Sequence, residues 1–356
     1  MTDLHFHGGF GIDLMTADTQ SLDRLASRLF KKGIDSFAPT TLSHEWAGLL
    51  ECLGRLGTWI RQTQSLPTPQ AATPIGIHLE GPFLSQKKRG AHPSSSIVSF
   101  SPEKMLQLYE ASHQTIKIVT LAPEILTPSD LVWLKKWSAK EKIILSVGHT
   151  CASYSQTAHA LNSGFHSATH LFNAMEHHNR FAGAPQAVLD DQTCYAEIIP
   201  DLIHVAPELV AHAEWLKPKH LFFVSDSSPA TETSDTCCFG ELKTKVHDGA
   251  SHLIDQSGAL TELLCGGGKL LPEMTEQYLN WKIARPSIPT RTSKTPTTID
   301  LTREAISRSV TIPAKLIGAK PSAHDRLTWK IARFQVTLQV NSQKKLKPKA
   351  SKKDHP

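Results

Sequence analysis

Short apolar runs alternate with amphipathic segments from residue 1 to about residue 226, and this alternation restricts the possible folds more than any other feature. We predict eight strands, at 4–7, 34–39, 75–80, 116–122, 143–149, 166–171, 194–199 and 220–226. Helical segments lie between them, for example at 102–112 and 207–216. Eight β/α units predict an α/β fold, a (β/α)8 barrel of the TIM type. A doubly wound sheet usually has fewer strands, and no Gly-x-Gly-x-x-Gly motif follows the first strand.

The net charge of +5 lies at one end of the chain. The stretch 344–356 holds six lysines and one aspartate, so its net charge equals that of the whole chain. Such a tail is typical of a solvated, disordered end. The body has no basic stripe interleaved with aromatic side chains, and no apolar run approaches the ~20 residues that span a bilayer. We therefore expect binding to neither nucleic acid nor membranes.

The cysteines and the N-terminus indicate the compartment. Six cysteines occur without a Cys-x-x-Cys pair, and the first residues form neither a basic nor an apolar signal region. Reduced thiols are typical of cytosolic proteins. We therefore expect a cytoplasmic protein.

Histidine and carboxylate side chains stand at the C-terminal ends of the predicted strands. His5 and His7 end the first strand, and their i, i+2 spacing places both imidazoles on one strand face. Strands three, five, six and eight end in Glu80, His149, His170 and Asp226. These strand ends meet at one face of a barrel, and buried polar groups of this kind need a partner or a metal. The pattern predicts a divalent metal site, with zinc or ferrous iron as the ion.

Six short motifs occur along the chain in a fixed order. They are His5-Phe6-His7-Gly8-Gly9, His78-Leu79-Glu80-Gly81-Pro82-Phe83, Gly90-Ala91-His92-Pro93, Gly148-His149-Thr150, Thr169-His170-Leu171-Phe172-Asn173-Ala174-Met175 and Val224-Ser225-Asp226. Together they resemble the motifs of N-acetylglucosamine-6-phosphate deacetylases, in the amidohydrolase superfamily. The resemblance implies that Glu80, His149 and His170 hold the catalytic metal and that Asp226 is the general acid and base. The His5/His7 pair permits a second ion, since some members keep this pair and others lack it.

The same resemblance implies substrate contacts on this face. They are Ala91 and His92 near the acetamido group, Asn173, Ala174 and Arg180 near the sugar phosphate, and His204, Leu264, Cys265 and Gly266 along the sugar. A guanidinium suits a phosphate because its planar fork can bind two oxygens, and His177 or His178 would assist Arg180. In the family the His204 counterpart can act across a dimer interface, so a homodimer acting on a small sugar phosphate is expected.

The resemblance also implies a second, smaller domain. Family members carry a segment ahead of the first barrel strand that forms half of a small β-sandwich, whereas this chain starts at the barrel strand. An incomplete sandwich built from C-terminal strands is therefore expected. The implied division is a barrel core at 1–235, a β-hairpin segment of the small domain at 236–262, a loop and the closing helices of the barrel at 263–326, the final strand of the small domain at 327–340 and the disordered basic tail at 341–356.

The start of the chain bears on the number of metal ions. Either an upstream start or a degenerate copy would explain the short N-terminus. A first strand so close to the terminus is expected to fray. We therefore predict one tightly bound ion, and a second that is weak or absent at His5 and His7.

The resemblance favours hydrolysis of N-acetylglucosamine 6-phosphate to glucosamine 6-phosphate and acetate, in amino-sugar catabolism, but two other functions stay open. One is another amidohydrolase activity, on cyclic amides or nucleobases. Binuclear cyclic-amide enzymes typically use a carboxylated lysine at the end of strand four, where this chain has Leu121-Ala122-Pro123. The other is a non-catalytic relic that binds a sugar phosphate, which the missing N-terminal segment favours.

Overall fold

The computed structural model describes residues 1–66, 70–176, 180–285, 297–319, 327–332 and 335–340. Eight parallel strands form a nearly closed barrel in chain order: β1 (Thr2–Phe6), β2 (Ser36–Thr41), β3 (Ile77–Glu80), β4 (Ile116–Leu121), β5 (Ile144–Val147), β6 (Phe165–Ala168), β7 (Tyr195–Ile198) and β8 (Leu221–Phe223). A two-residue strand, Thr73–Pro74, adds to β2, and Gly8–Gly9 pairs with Ile12–Asp13. The predicted α/β barrel is confirmed.

A helix follows each of the first seven barrel strands. They are α1 (Thr19–Lys31), α2 (Trp46–Ser65), α3 (Pro102–Ala111), α4 (Pro128–Glu141), α5 (Tyr154–Asn162), α6 (Ala184–Asp190) and α7 (Pro207–Leu216). Local chemistry starts them: Thr127 and Asp130 form a capping box at α4, with Pro128 in the first helical position. On α1, Leu22, Leu25 and Leu29 are buried at helical spacing. Within the described ranges, no helix is long and apolar enough to cross a membrane.

Backbone hydrogen bonds between β1 and the segment after β8 close the barrel. The Asp226 N–H donates to the His5 carbonyl at 3.0 Å, and the His7 N–H donates to the Ser227 carbonyl at 2.9 Å. The Met1 ammonium is buried and donates to the carbonyl of Gly33 at 2.6 Å. All residues of β1 are buried as well. The expectation that the first strand frays is therefore wrong, because both of its ends are hydrogen-bonded into the barrel.

An antiparallel sheet follows the barrel strands. Its members are β9 (Cys237–Phe239), β10 (Leu242–His247), β11 (Ala250–Ile254) and β12 (Leu260–Gly267). Next come α8 (Leu271–Ile283), α9 (Thr298–Ile306), a π-helical turn (Ser307–Thr311) and α10 (Ile312–Leu316). The chain from 263 onward was predicted to start with a loop, and three consecutive glycines at 266–268 are typical of a turn. In the structure most of this stretch is strand, and β12 crosses the predicted boundary at 262/263.

Two glycines in β12 allow it to lie directly against the end of β8. The Gly267 N–H donates to the Asp226 carbonyl at 2.6 Å. A Cβ on Gly267 would lie 2.2 Å from the Ser225 carbonyl oxygen, and Gly266 has a φ of +113°. A side chain at either position would therefore separate β12 from the barrel.

The last described segment is a hairpin of β13 (Leu327–Ala332) and β14 (Gln335–Val340), not the single strand predicted at its end. Asn280 of α8 exchanges two hydrogen bonds with the Val336 backbone, at 2.8 and 2.9 Å. Val336 also packs against Leu279, Leu301 and Ala305. In the described part of the chain, this hairpin does not pair with the β9–β12 sheet. The domain boundaries stay predictions, and the tail 341–356 lies outside the described residues.

A buried charge cluster joins α7, α8 and the π-helical turn. The Glu214 carboxylate accepts from Arg308 Nε and from Lys282 Nζ, both at 2.6 Å, and from the Tyr278 hydroxyl at 2.8 Å. Burial acts to raise the pKa of Glu214, but the two cations outweigh it and hold this pKa below its ordinary value.

Replacing Arg308 with methionine is expected to lower the free energy of unfolding by about 3–5 kcal/mol, because it removes one partner of a buried ion pair. Urea unfolding followed by circular dichroism measures the change. Arg24→Met, at an exposed arginine on α1, serves as the matched control. Equal midpoints for the two variants would contradict the assigned role of the cluster.

Candidate metal centre

Four predicted site residues stand where barrel strands end. Glu80 is the last residue of β3, and His149, His170 and Asp226 come just after β5, β6 and β8. The latter three have φ values of +47°, +30° and +49°. This left-handed region costs a non-glycine residue about 1–3 kcal/mol, and it persists only where the surrounding structure enforces it. The barrel therefore turns the chain sharply at each of these side chains.

The Glu80 carboxylate lies between two pairs of histidines. Its Oε1 is 3.1 Å from His149 Nε2 and 3.0 Å from His170 Nε2. Its Oε2 is 3.2 Å from His7 Nε2 and 3.4 Å from His5 Nε2. All five side chains are buried. One carboxylate therefore contacts both halves of the site, with one oxygen for each pair.

This donor set fits a divalent metal. The Nε2 atoms are 3.1 Å apart in the His5/His7 pair and in the His149/His170 pair, so ring nitrogens converge on each other as well as on Glu80. Ligand atoms of Glu80, His149 and His170 lie within 4.8 Å of one another, and so do those of His5, His7 and Glu80. Neutral imidazoles and carboxylates are the ligands of zinc and similar first-row ions. The predicted metal site is therefore matched by two candidate groups.

Asp226 lies beside the His5/His7 pair and lines the cavity. Its Oδ1 is 3.3 Å from Nε2 of both His5 and His7. Burial acts to raise the pKa of Asp226, but the charge of His5 and the hydrogen bond with His7 together lower it below its ordinary value. The carboxylate is thus ionised at neutral pH and can accept a proton.

His92 offers a hydrogen-bond donor to the cavity. The Ser43 backbone N–H donates to His92 Nδ1 at 3.1 Å. Burial lowers the pKa of His92 to about 4, so the ring is neutral near pH 7. Since Nδ1 accepts, the proton of the neutral ring is on Nε2. That nitrogen lies 3.5 Å from Glu80 Oε2.

A cavity of about 470 Å³ opens above these side chains. It is lined by all predicted site residues except two: His7, Glu80, Ala91, His92, His149, His170, Asn173, Ala174, His204, Asp226, Leu264, Cys265 and Gly266. His5 lies fully buried beneath it. Arg180 is exposed and does not line it, so the structure does not bring this residue to the others. Its predicted neighbours His177 and His178 lie outside the described residues.

His204 lines the cavity of its own chain and has one unpaired ring nitrogen. Its Nδ1 is 2.6 Å from Asp201 Oδ2, and its buried Nε2 has no hydrogen-bond partner among the described residues. Burial lowers the pKa of His204, but the contact with Asp201 outweighs it, and the pKa is raised overall. The ring can therefore donate from Nε2 to a ligand.

Sequence reasoning missed several residues at this candidate site. Lys87, Lys88 and Arg89 line the cavity and carry positive charge, yet no pattern singled them out. Glu197 in β7 contacts His5 Nδ1 at 3.0 Å and is fully buried. A signal for Glu197 was present, because a carboxylate inside an apolar strand is costly to bury without a partner.

Comparison with known proteins identifies the family that this chain resembles. No family model matches it. The fold is similar to that of a solved structure, a mutant of the N-acetyl-D-glucosamine-6-phosphate deacetylase of Mycobacterium smegmatis in complex with N-acetyl-D-glucosamine-6-phosphate. The two superpose with a TM-score of 0.76 at 26% sequence identity, and the match covers 90% of this chain and 77% of that one. An N-acetylglucosamine-6-phosphate deacetylase of Bacillus subtilis is 34% identical over 268 residues, 75% of this chain. The chain belongs to the N-acetylglucosamine-6-phosphate deacetylase family.

The deacetylase family resemblance predicted from the motifs is thus confirmed. Another relative is the N-acetylgalactosamine-6-phosphate deacetylase of Escherichia coli O157:H7, 28% identical over 251 residues, or 69% of this chain. The chain spans 64% of the length of each of these two curated relatives.

Proposed function

We propose that this chain hydrolyses the acetamide of N-acetylglucosamine 6-phosphate to glucosamine 6-phosphate and acetate, in amino-sugar catabolism. The observation that carries the proposal is the Glu80 carboxylate between two histidine pairs, beside the ionised Asp226, in a member of this deacetylase family. The cavity of about 470 Å³ has the size of sites that hold one small ligand.

The metal would be held by two sets of residues. We propose one tight ion, zinc or ferrous iron, at Glu80, His149 and His170, and a second ion at His5, His7 and the other oxygen of Glu80. When bound, such an ion supplies Lewis acidity toward the acetamide oxygen and lowers the pKa of a water ligand toward ~7.

Two side chains would carry the remaining chemistry. Asp226 would accept a proton from the attacking water and then deliver it to the leaving amine nitrogen, so that the C–N bond breaks as the amine becomes neutral. His92 would donate its Nε2 proton in a hydrogen bond to the oxygen that becomes negative as water adds to the carbonyl.

The substrate would lie across the cavity with its acetamido group near Ala91 and His92. Asn173 and Ala174 would contact the phosphate, and His204, Leu264, Cys265 and Gly266 would line the sugar. Arg180 is not part of this proposal, because it does not line the cavity. The positive charge for the phosphate would instead come from Lys87 and Arg89, which line the cavity. The third cation of this segment, Lys88, has its Nζ paired with Glu176 at 3.0 Å.

We also propose that the protein is cytoplasmic and works as a homodimer. Six free cysteines support a reducing compartment. The dimer rests on the family resemblance. His204, which the resemblance places near a dimer interface, lines the cavity of its own chain.

The test is acetate release from N-acetylglucosamine 6-phosphate by chelator-treated protein reloaded with zinc or ferrous iron. We expect release with metal and none without it. N-acetylgalactosamine 6-phosphate and unphosphorylated N-acetylglucosamine are the comparison substrates, and slower release from both is expected.

Two outcomes would contradict the proposal. Folded, metal-loaded protein that binds the sugar phosphate without releasing acetate would favour the relic. Turnover of cyclic amides or nucleobases in place of the sugar phosphate would favour the other amidohydrolase activities.

A further inference from the structure

Glu197 contacts a histidine of each pair in the candidate metal centre, on the side away from the cavity. Its Oε2 is 3.0 Å from His5 Nδ1 and accepts the backbone N–H of His170 at 3.2 Å. The side chains of Glu197 and His5 are both fully buried. A buried carboxylate in β7 therefore contacts one histidine of each pair without lining the cavity.

The other nitrogen of His5 faces the predicted ligand atoms. His5 Nε2 lies 3.1 Å from His7 Nε2, 3.4 Å from Glu80 Oε2 and 3.3 Å from Asp226 Oδ1. If Nδ1 lacked a proton, its lone pair would face the Glu197 carboxylate at 3.0 Å, which is repulsive. The contact therefore keeps a proton on Nδ1, so that Nε2 is the nitrogen of His5 that can bind an ion.

Glu197 could instead be a ligand, in a group with His5 and His78. However, both ring nitrogens of His78 are engaged, Nδ1 with the Leu4 carbonyl at 2.9 Å and Nε2 with the Thr120 hydroxyl at 2.7 Å. A neutral ring satisfies these two contacts by donating from Nδ1 and accepting at Nε2. His78 then has no lone pair left for an ion.

We infer that Glu197 is a positioning residue, which holds His5 in the tautomer and orientation that bind the second ion. The inference rests on the proposed metal centre and adds a residue that does not touch the ion or the substrate. Carboxylates behind a ligating histidine typically change metal affinity by 10–100-fold when they are removed.

Two substitutions separate the hydrogen bond from the volume of the side chain. Glu197→Met keeps most of the volume and removes the acceptor, whereas Glu197→Gln keeps an oxygen that can accept from His5. Asp3→Asn is the matched control, because Asp3 is a buried carboxylate of the same barrel. It accepts hydrogen bonds from Ser225 and from the backbone N–H of His5, which an asparagine oxygen can also accept, and it contacts no imidazole ring.

The measurement is zinc binding to chelator-treated protein by isothermal titration, with metal content by mass spectrometry. The visible spectrum of the cobalt-substituted protein reports ligand geometry. We expect the second ion to bind Glu197→Met about 10–100-fold more weakly than the wild type, with an altered cobalt spectrum. Glu197→Gln should recover part of the affinity. The first ion should be weakened less than the second, because Glu197 contacts His170 only at its backbone N–H. The Asp3→Asn control should bind both ions as the wild type does.

Wild-type affinity for the second ion in both Glu197 variants would overturn the inference, as would an unaltered cobalt spectrum. If Glu197→Met does not fold, Glu197→Gln carries the test, and unchanged affinity in that variant overturns the inference. A wild-type protein that binds one ion only would overturn both the second site and the role of Glu197. Because no substrate is used, failure of the deacetylase assay gives a separate result.

Discussion

The Asp226→Asn variant is expected to lose about 10²-fold or more in kcat for deacetylation, the scale on which general acid–base groups contribute. The asparagine amide keeps the shape of the side chain but cannot take a proton from water or deliver one to the amine. Asp226 is ionised and faces His5 and His7 at 3.3 Å, in a position to exchange protons at the cavity wall. KM and metal content are expected to stay near their wild-type values.

Steady-state kinetics and metal analysis on the same samples test this role. Asp248→Asn, at an aspartate that is 88% exposed, is the control for loss of one negative charge. Loss of metal together with activity in Asp226→Asn would show that Asp226 is chiefly a ligand. A kcat within a few-fold of the wild type would show that another group moves the proton.

Removing one ligand of the first ion is expected to cost more than removing the whole His5/His7 pair. His149→Ala or His170→Ala should lower kcat/KM by about 10³-fold or more, because a catalytic metal contributes several kcal/mol of transition-state stabilisation. The His5→Ala/His7→Ala double variant keeps Glu80, His149 and His170, which form a complete candidate group by themselves. It should lose less activity and retain one ion per chain.

Metal content and kcat/KM of the three variants, measured side by side, test this order. A double variant that loses all metal, or that is less active than His170→Ala, would contradict it. Fraying of β1, which the position of this strand near the terminus predicts, would also give this order. In the structure β1 is buried and hydrogen-bonded, so the order now rests on the completeness of the first ligand set.

The sequence predicted the structure best where a local pattern is compatible with only one arrangement of the chain. Apolar runs alternating with amphipathic segments predicted the barrel, and the i, i+2 spacing of His5 and His7 predicted that both rings share a face. Their Nε2 atoms are indeed 3.1 Å apart. The pattern was least informative after β8, where Gly266 and Gly267 suggested a turn. A glycine pair is equally suited to a strand that must approach another backbone closely, and only the neighbouring β8 decides between the two.

The amino-acid sequence by itself predicted the barrel, the family and the strand-end residues of the candidate metal centre, because periodicity and motifs can be read directly from the chain. Only the tertiary structure decided that the two oxygens of Glu80 contact different histidine pairs. It also decided that Glu197 contacts His5 Nδ1 and that Arg180 lies outside the cavity. These facts depend on distances between residues far apart in the chain. Such distances are set by how the strands pack around the barrel axis, and no local pattern encodes them.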